Sequence, residues 1–113
     1  MVAKKTRDLV GKFPRRGYAE LREQMLAAAE SISHNIAEGR TAARDTEFLR
    51  FLDIAARSAS ELSSQLELVK TYAIAPEREA FNLIGTVICT RRMIQSLQQK
   101  IRTGRARSIT ATK

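Results

Sequence analysis

The amino-acid sequence predicts an all-α fold, an up-down four-helix bundle with a short first helix and three long helices. Only two prolines and five glycines interrupt the 113 residues, and the intervals between them are rich in Ala, Leu, Glu, Gln and Arg. This composition is typical of helices. Apolar residues recur at spacings of three and four, and no segment alternates with the period of two that a strand requires. We expect one bundle domain over residues 1–103 and a basic tail over residues 104–113.

The first two helices are predicted from one short segment and one long apolar row. Residues 2–12 supply only a short helix before Phe13 and Pro14. The second helix begins near Tyr18, and Gly39 is predicted to end it in a left-handed turn. The inward face of this second helix consists of Leu21, Met25, Ala28 and Ile32.

The third helix is predicted to begin near Asp45 and to contact neighbours on more than one side. Its inward residues step alternately by four and three, which is the pattern of a bundled helix. These residues are Phe48, Leu52, Ala55, Ala59, Leu62, Leu66 and Val69. A second row widens the stripe and consists of Phe51, Ile54, Ser58, Gln65 and Leu68.

The fourth helix is predicted to start at Pro76 and to run to about Thr103. Proline is well tolerated at a helix start, and the acidic residues Glu77 and Glu79 favour the positive end of the helix dipole. Gly104 is the predicted stop signal. The inward row is Leu83, Val87, Thr90, Ile94, Leu97 and Ile101.

The short first helix predicts an open groove between the longer helices. Three helices of roughly 22–28 residues would be rods of about 33–42 Å, packed side by side. Residues 2–12 are too few to cover such a groove along its length. Either a neighbouring subunit covers the remainder or further residues precede the chain.

The positive charge of the chain is concentrated at its two ends. The net charge is +8, of which residues 1–16 carry +5 and residues 91–113 carry +7, while residues 17–90 carry −4. In an up-down four-helix bundle the first helix starts and the last helix ends at the same pole, so we expect the two basic segments to converge there. The predicted phosphate contacts are Lys4, Lys5, Arg7, Arg102, Arg105 and Arg107.

This basic pole is expected to bind the backbone of RNA or DNA without reading its sequence, because few aromatic residues are available to stack on bases. A solvated basic tail that keeps the protein soluble explains the same charge equally well. A second hypothesis is a protein-protein interaction scaffold, with no nucleic-acid role, whose partner occupies the open groove.

Within the segment SISHNIAEG, at residues 31–39, two polar residues are interpreted as structural. Asn35 continues the apolar row of the second helix, so we expect its amide to be at least partly buried and bonded to a neighbouring helix or subunit, with a ligand contact as the weaker alternative. Glu38 lies in the last turn, where an acid opposes the helix dipole, so a cationic partner is expected. Arg40, Arg44 or an arginine of another subunit could provide it. Ser31 and Gly39 complete the predicted structural motif.

The sequence gives little support for a catalytic or metal-binding site. Glu30, His34 and Glu38 share one helix face, but di-metal bundles use further carboxylates and a second histidine, so a solvated or hydrogen-bonded His34 is favoured. The single cysteine, Cys89, is predicted to be a buried, inert thiol. Gly-rich phosphate loops, G-x-S-x-G elbows and zinc-type cysteine pairs do not occur in the sequence. We therefore expect no enzymatic activity and no cofactor.

Four segments resemble, in order and spacing, the motifs of a small bacterial four-helix-bundle family. They are KFPRRGYAELREQ at residues 12–24, SISHNIAEG, EFLRFLDIA at 47–55 and SASEL at 58–62. The family is named for proteins encoded in intervening sequences of 23S ribosomal RNA genes, and the resemblance covers residues 12 to about 101. It implies a non-enzymatic bundle that assembles into a ring-like homo-oligomer, with a pentamer as the expected size. The family is also similar in fold to the accessory variability proteins of diversity-generating retroelements, which bind nucleic acid and a reverse transcriptase.

The chain departs from the family pattern at three places. Leu26 and Ala27 stand where the family commonly has paired arginines, Ser33 stands in place of a proline, and Arg57 stands in place of a glycine. Loss of the paired arginines weakens a nucleic-acid role through that face, whereas the basic ends could supply one elsewhere.

The sequence also predicts a cytoplasmic protein without membrane contact. It contains no run near the roughly 18 consecutive apolar residues that a membrane span needs. Residues 1–12 lack the apolar segment of a secretory signal.

Overall fold

A computed structural model describes residues 1–104 as four helices and no strand. Helix α1 is Val2–Val10, α2 is Ala19–Arg40, α3 is Asp45–Thr71 and α4 is Glu77–Arg102. The predicted all-α fold, with one short helix followed by three long helices, is confirmed. The residues of the predicted tail after Gly104, including Arg105 and Arg107, lie outside the described residues.

Helix α3 lies between α2 and α4 and forms the centre of the bundle, and α1 packs against α2 and α4. The predicted inward row of α3 is buried at every position. The rows of the two neighbouring helices contribute Met25, Ala28, Ile32, Leu83, Val87, Ile94 and Ile101 to the same core. Thr90 and Leu97 of the predicted α4 row are half-buried, because they lie towards an open side of the bundle.

The turn between α1 and α2 fixes the short helix against the start of α2. Gly17 and Tyr18 adopt left-handed backbone angles, with φ values of 86° and 60°. The buried Phe13 ring lies edge-on to Tyr18, with 6.5 Å between ring centroids. The guanidinium of Arg22 lies over the same ring, 5.7 Å from the Phe13 centroid, and donates to the Pro14 carbonyl at 3.2 Å.

The predicted role of Gly39 is wrong. It lies inside α2 rather than in a left-handed turn, because the helix continues to Arg40 and is capped at Thr41, which has φ −94°. A Cβ atom at position 39 would lie 2.7 Å from Cδ1 of Phe48 and 3.3 Å from Cβ of Phe51. The glycine is therefore required for the close approach of α2 and α3. By contrast, Gly104 does have a left-handed φ of 81° after α4, as predicted.

Across residues 1–104, no helix combines the length and the hydropathy that a membrane span requires.

Candidate nucleic-acid interface

The three predicted phosphate contacts on α1 are exposed on a helix that buries its other face. Val2, Thr6, Leu9 and Val10 face the bundle, so Lys4, Lys5 and Arg7 face solvent. The side chain of Arg7 donates to a carboxylate oxygen of Glu30 on α2 at 3.2 Å. Within residues 1–104, no carboxylate lies within 4.0 Å of the ammonium groups of Lys4 and Lys5.

Among residues 1–104, the predicted convergence of the basic ends at one pole does not occur. Lys5 lies beside the first turns of α4, where it lines a groove with Glu79 and Leu83. Arg102 ends α4 nineteen residues beyond Leu83, which corresponds to roughly 28 Å along the helix axis. The physical reason is the length of α1, since nine residues are too few to reach the pole at which α4 ends. Of the predicted phosphate contacts among residues 1–104, those on α1 therefore lie apart from Arg102.

Acidic residues reduce the positive potential near the α1 area. Lys12 forms an ion pair with Glu79 of α4, and Asp8 lines the same groove. Residues 91–104 contain no acidic residue, but the start of α3, which lies beside the end of α4, carries Asp45 and Glu47.

Two of the four structural motif residues, Ser31 and Asn35, form a hydrogen-bonded chain from α2 to Ser58 of α3. The buried Asn35 amide donates to the Ser31 carbonyl at 2.8 Å and to the Ser31 hydroxyl at 3.0 Å. The Ser58 hydroxyl of α3 donates to the same Ser31 hydroxyl at 2.8 Å. Burial of Asn35 is confirmed, but within residues 1–104 its side-chain bonds stay in its own helix and reach α3 only through Ser31. Interactions of this kind satisfy polar groups that the core buries.

Glu38 has a different neighbour from those predicted. Its carboxylate lies 4.0 Å from Nε2 of His34, and no arginine of residues 1–104 lies within ion-pair distance. No cluster of three metal-ligating side chains occurs among residues 1–104. The predicted burial of Cys89 is wrong, because its side chain lies on the solvent-facing side of α4.

A polar groove between α3 and α4 was missed by the sequence analysis. We call it the α3–α4 groove; it has a volume of about 520 Å³ and is lined by Asp53, Ala56, Arg57, Ser60, Arg91, Gln95 and Gln98. Its polar residues lie at spacings of three and four on each helix, adjacent to the apolar seam. That spacing is visible in the sequence, but the pairing of the two stripes across the helices is not.

A second, more apolar groove lies between α2 and α4, towards the end of the bundle that α1 does not reach. This α2–α4 groove has a volume of about 160 Å³ and is lined by Ile36, Arg40, Leu52, Thr90, Met93, Ile94 and Leu97. The side chain of Met93 is 71% exposed here. The groove predicted from the short first helix is thus present.

One comparison with known proteins identifies a family for this chain. No curated protein matches the chain. The sequence pattern of the 23S rRNA-intervening sequence proteins matches residues 1–96, which include all of α1, α2 and α3 and most of α4. In this chain the short α1 packs against α2 and α4, and the SISHNIAEG segment is hydrogen-bonded to α3. The chain belongs to the family of 23S rRNA-intervening sequence proteins.

Proposed function

We propose that this protein is a non-enzymatic, homo-oligomeric helical bundle that binds the backbone of RNA or DNA through its basic ends. The observation that carries the proposal is the charge of the C-terminal segment. Residues 91–113 contain seven cations and no acid, and Arg102 is exposed at the end of α4, immediately before Arg105 and Arg107. Such a segment favours phosphate contacts that do not depend on base sequence.

The six predicted residues do not have equal support. Lys4 and Lys5 are exposed and have no carboxylate within ion-pair distance among residues 1–104, so they can contact phosphate directly. Arg7 must first release Glu30. Lys5 and Arg102 lie far apart on one chain. A nucleic acid can contact both only if the strand is long or if neighbouring subunits in a ring bring the two areas together.

The salt dependence of binding tests this proposal. The logarithm of the binding constant for duplex DNA should fall with the logarithm of salt concentration, by about 0.9 for each phosphate neutralised. Deletion of residues 103–113 removes Arg105, Arg107 and Lys113, so the slope should become shallower by about 0.9 for each of these that contacts phosphate. Replacement of the same three residues by Gln in the full-length chain is the matched control for tail length. Equal binding by the truncated and full-length chains, or binding by neither, would overturn the proposal.

The homo-oligomer is supported by the α2–α4 groove, which leaves Met93 exposed beside the half-buried Ile36 and Leu97. A second copy that covers this groove would remove these apolar side chains from water. Light scattering should then give a mass that is a multiple of 12.7 kDa, with five subunits as the expected number. Met93→Lys should reduce the mass, whereas Phe81→Lys, on the opposite half of α4, should not. A wild-type mass of one subunit at all concentrations would exclude the ring.

The alternative function is a protein-protein interaction scaffold with no nucleic-acid role. The same apolar groove favours it, since an amphipathic helix of another protein could occupy the place of the second copy. A protein that binds neither RNA nor DNA at low salt, and whose Met93→Lys variant keeps its mass but loses a co-purified protein, would support this alternative.

A further inference from the structure

We infer that the α3–α4 groove is a phosphate-binding site, able to take inorganic phosphate or a phosphodiester of a nucleic-acid backbone. The site is distinct from the basic chain ends in the proposed function. It is formed by the middle of α3 and the second half of α4, within the described residues. The inference therefore stands or falls independently of the terminal contacts.

Two cross-helix hydrogen bonds fix the walls of this groove. Gln98 donates to a carboxylate oxygen of Asp53 at 2.7 Å, and Arg91 donates to the Ser60 hydroxyl at 3.2 Å. The two bonds are seven residues apart on each of the antiparallel helices, so the polar stripes of α3 and α4 face each other in one register. Groups held in this way lose little conformational freedom when a ligand binds.

The arginine side chains supply more N–H donors than the protein itself uses. The guanidinium of Arg91 has five donors, one of which bonds to Ser60. Its Nε is buried and has no acceptor among residues 1–104, so the terminal Nη groups supply the donors that a ligand in the groove can reach. Arg57 is exposed on the facing helix and lines the same groove. No carboxylate of residues 1–104 lies within ion-pair distance of either guanidinium. Planar guanidinium groups match the oxygen geometry of phosphate, and a phosphate can accept from two of them at once.

Asp53 is the one carboxylate in the lining, and its position leaves room for an anion. It lies at the Gln98 end of the groove and accepts from the buried Gln98 amide. With Arg57 and Arg91, the groove has a formal charge of +1. The phosphate is therefore placed at the Arg91 and Ser60 end, where the Gln95 amide can also donate.

A phosphodiester differs from free phosphate because its nucleic-acid backbone continues beyond the bound phosphate and can contact further residues. In the register set by the Asp53 bond, Arg50 of α3 lies level with the end of α4, where Arg102 is exposed. A nucleic-acid backbone that runs along the groove passes the Asp53 carboxylate, which accepts from Gln98, and then meets these two further cations, whereas a single phosphate ion does not reach them. A short oligonucleotide should therefore bind more tightly than inorganic phosphate if the natural ligand is a nucleic acid.

The test is an NMR titration that observes the arginine side chains. The protein is titrated with sodium phosphate, at constant ionic strength with chloride as the balancing anion, and separately with a short oligouridylate. We expect a saturable shift of the Arg91 Nε–H resonance with one or both probes. Arg57→Gln and Arg91→Gln should each weaken binding by about tenfold, the effect expected for loss of a charged hydrogen bond. Arg78→Gln, which removes the same charge from the exposed first turn of α4, is the matched control and should bind like the wild type.

Each outcome of this titration has a defined meaning. Saturable binding of phosphate alone assigns the site to a small anion, and tighter binding of the oligouridylate assigns it to a nucleic-acid backbone; both support the site. The absence of a saturable shift with both probes, or an equal loss in Arg57→Gln and Arg78→Gln, overturns it. The variant that lacks residues 103–113 keeps the groove, so repetition of the titration with this variant separates groove binding from tail binding.

Discussion

Gly39 lies where α2 approaches the start of α3, and its lack of a side chain permits that approach. Gly39→Ala would place a Cβ against the ring of Phe48 and the Cβ of Phe51. Alanine favours helix over glycine by about 1 kcal/mol, but overpacking of a close contact costs roughly 1–3 kcal/mol. We expect a net loss of stability, measured as a lower midpoint in urea denaturation.

Gly85→Ala is the matched control for this substitution. Gly85 also lies within a helix, but a Cβ there would meet nothing within 4 Å. This variant should gain about 0.5–1 kcal/mol from the helical preference of alanine. If Gly39→Ala stabilises the protein as much as Gly85→Ala does, the close contact does not constrain the packing of α2 on α3.

Ser58 provides the hydrogen bond that connects the SISHNIAEG segment to α3. Its buried hydroxyl donates to Ser31, which also accepts from Asn35. Ser58→Ala should cost about 0.5–1.5 kcal/mol, the usual net value of such a bond. Ser64→Ala makes the same change on the exposed face of α3 and corrects for helix preference. Equal denaturation midpoints for the two variants would contradict a stabilising role of this bond.

At the scale of the helix, the inward row of α3 should carry much of the stability, because α2 and α4 pack on both sides of it. Leu66 is fully buried, whereas Leu68, two residues further on, is 46% exposed. Leu66→Ala should cost roughly 2–5 kcal/mol, since it leaves a cavity, and Leu68→Ala should cost much less. Urea denaturation of the two variants, compared with the wild type, measures the difference. Similar losses of stability in the two variants would contradict the assignment of the Leu66 face of α3 to the core.

The helices were predictable from the sequence because periodicity and helix ends are local signals. The steps from Phe48 to Val69 appear in the structure as predicted, and α4 begins at Glu77, one residue after the predicted Pro76, which is its N-cap. Gly39 was misassigned because a glycine near a helix end has two physical uses, a left-handed turn or a close contact, and only the position of Phe48 distinguishes them. Cys89 was misassigned because it flanks the apolar row of α4, and a rotation of about 100° per residue moves it to solvent.

Site residues were less predictable than helices, because a site depends on which helix surfaces meet. The charge count identified Lys5 and Arg102, but not their separation, which follows from how far α1 extends along α4. The α3–α4 groove depends on the pairing of Arg91 with Ser60. Such a pairing is fixed by the packing of two long helices and has no signature in either sequence segment alone.

For the whole molecule, the lengths and packing of the helices predict that they differ in local stability. Helix α1 has nine residues and packs against α2 and α4, whereas α3 has 27 residues and lies between two long neighbours. The ion pairs of α1 and of the turn that follows it, Arg7 with Glu30 and Lys12 with Glu79, are exposed to solvent, and such pairs contribute only about 0–1 kcal/mol each. Apolar contacts of Val2, Leu9 and Val10 must therefore hold α1 in place.

Native-state hydrogen exchange should reveal this hierarchy directly. Amides of α1 should exchange through local opening that costs on the order of a few kcal/mol, while amides in the middle of α3 should exchange only through global unfolding at about 5–15 kcal/mol. Glu79→Gln, which removes the partner of Lys12, should accelerate exchange in α1 only slightly, because the ion pair is a minor contribution. Exchange of α1 and α3 amides at the same free energy would show instead that α1 unfolds together with the rest of the bundle.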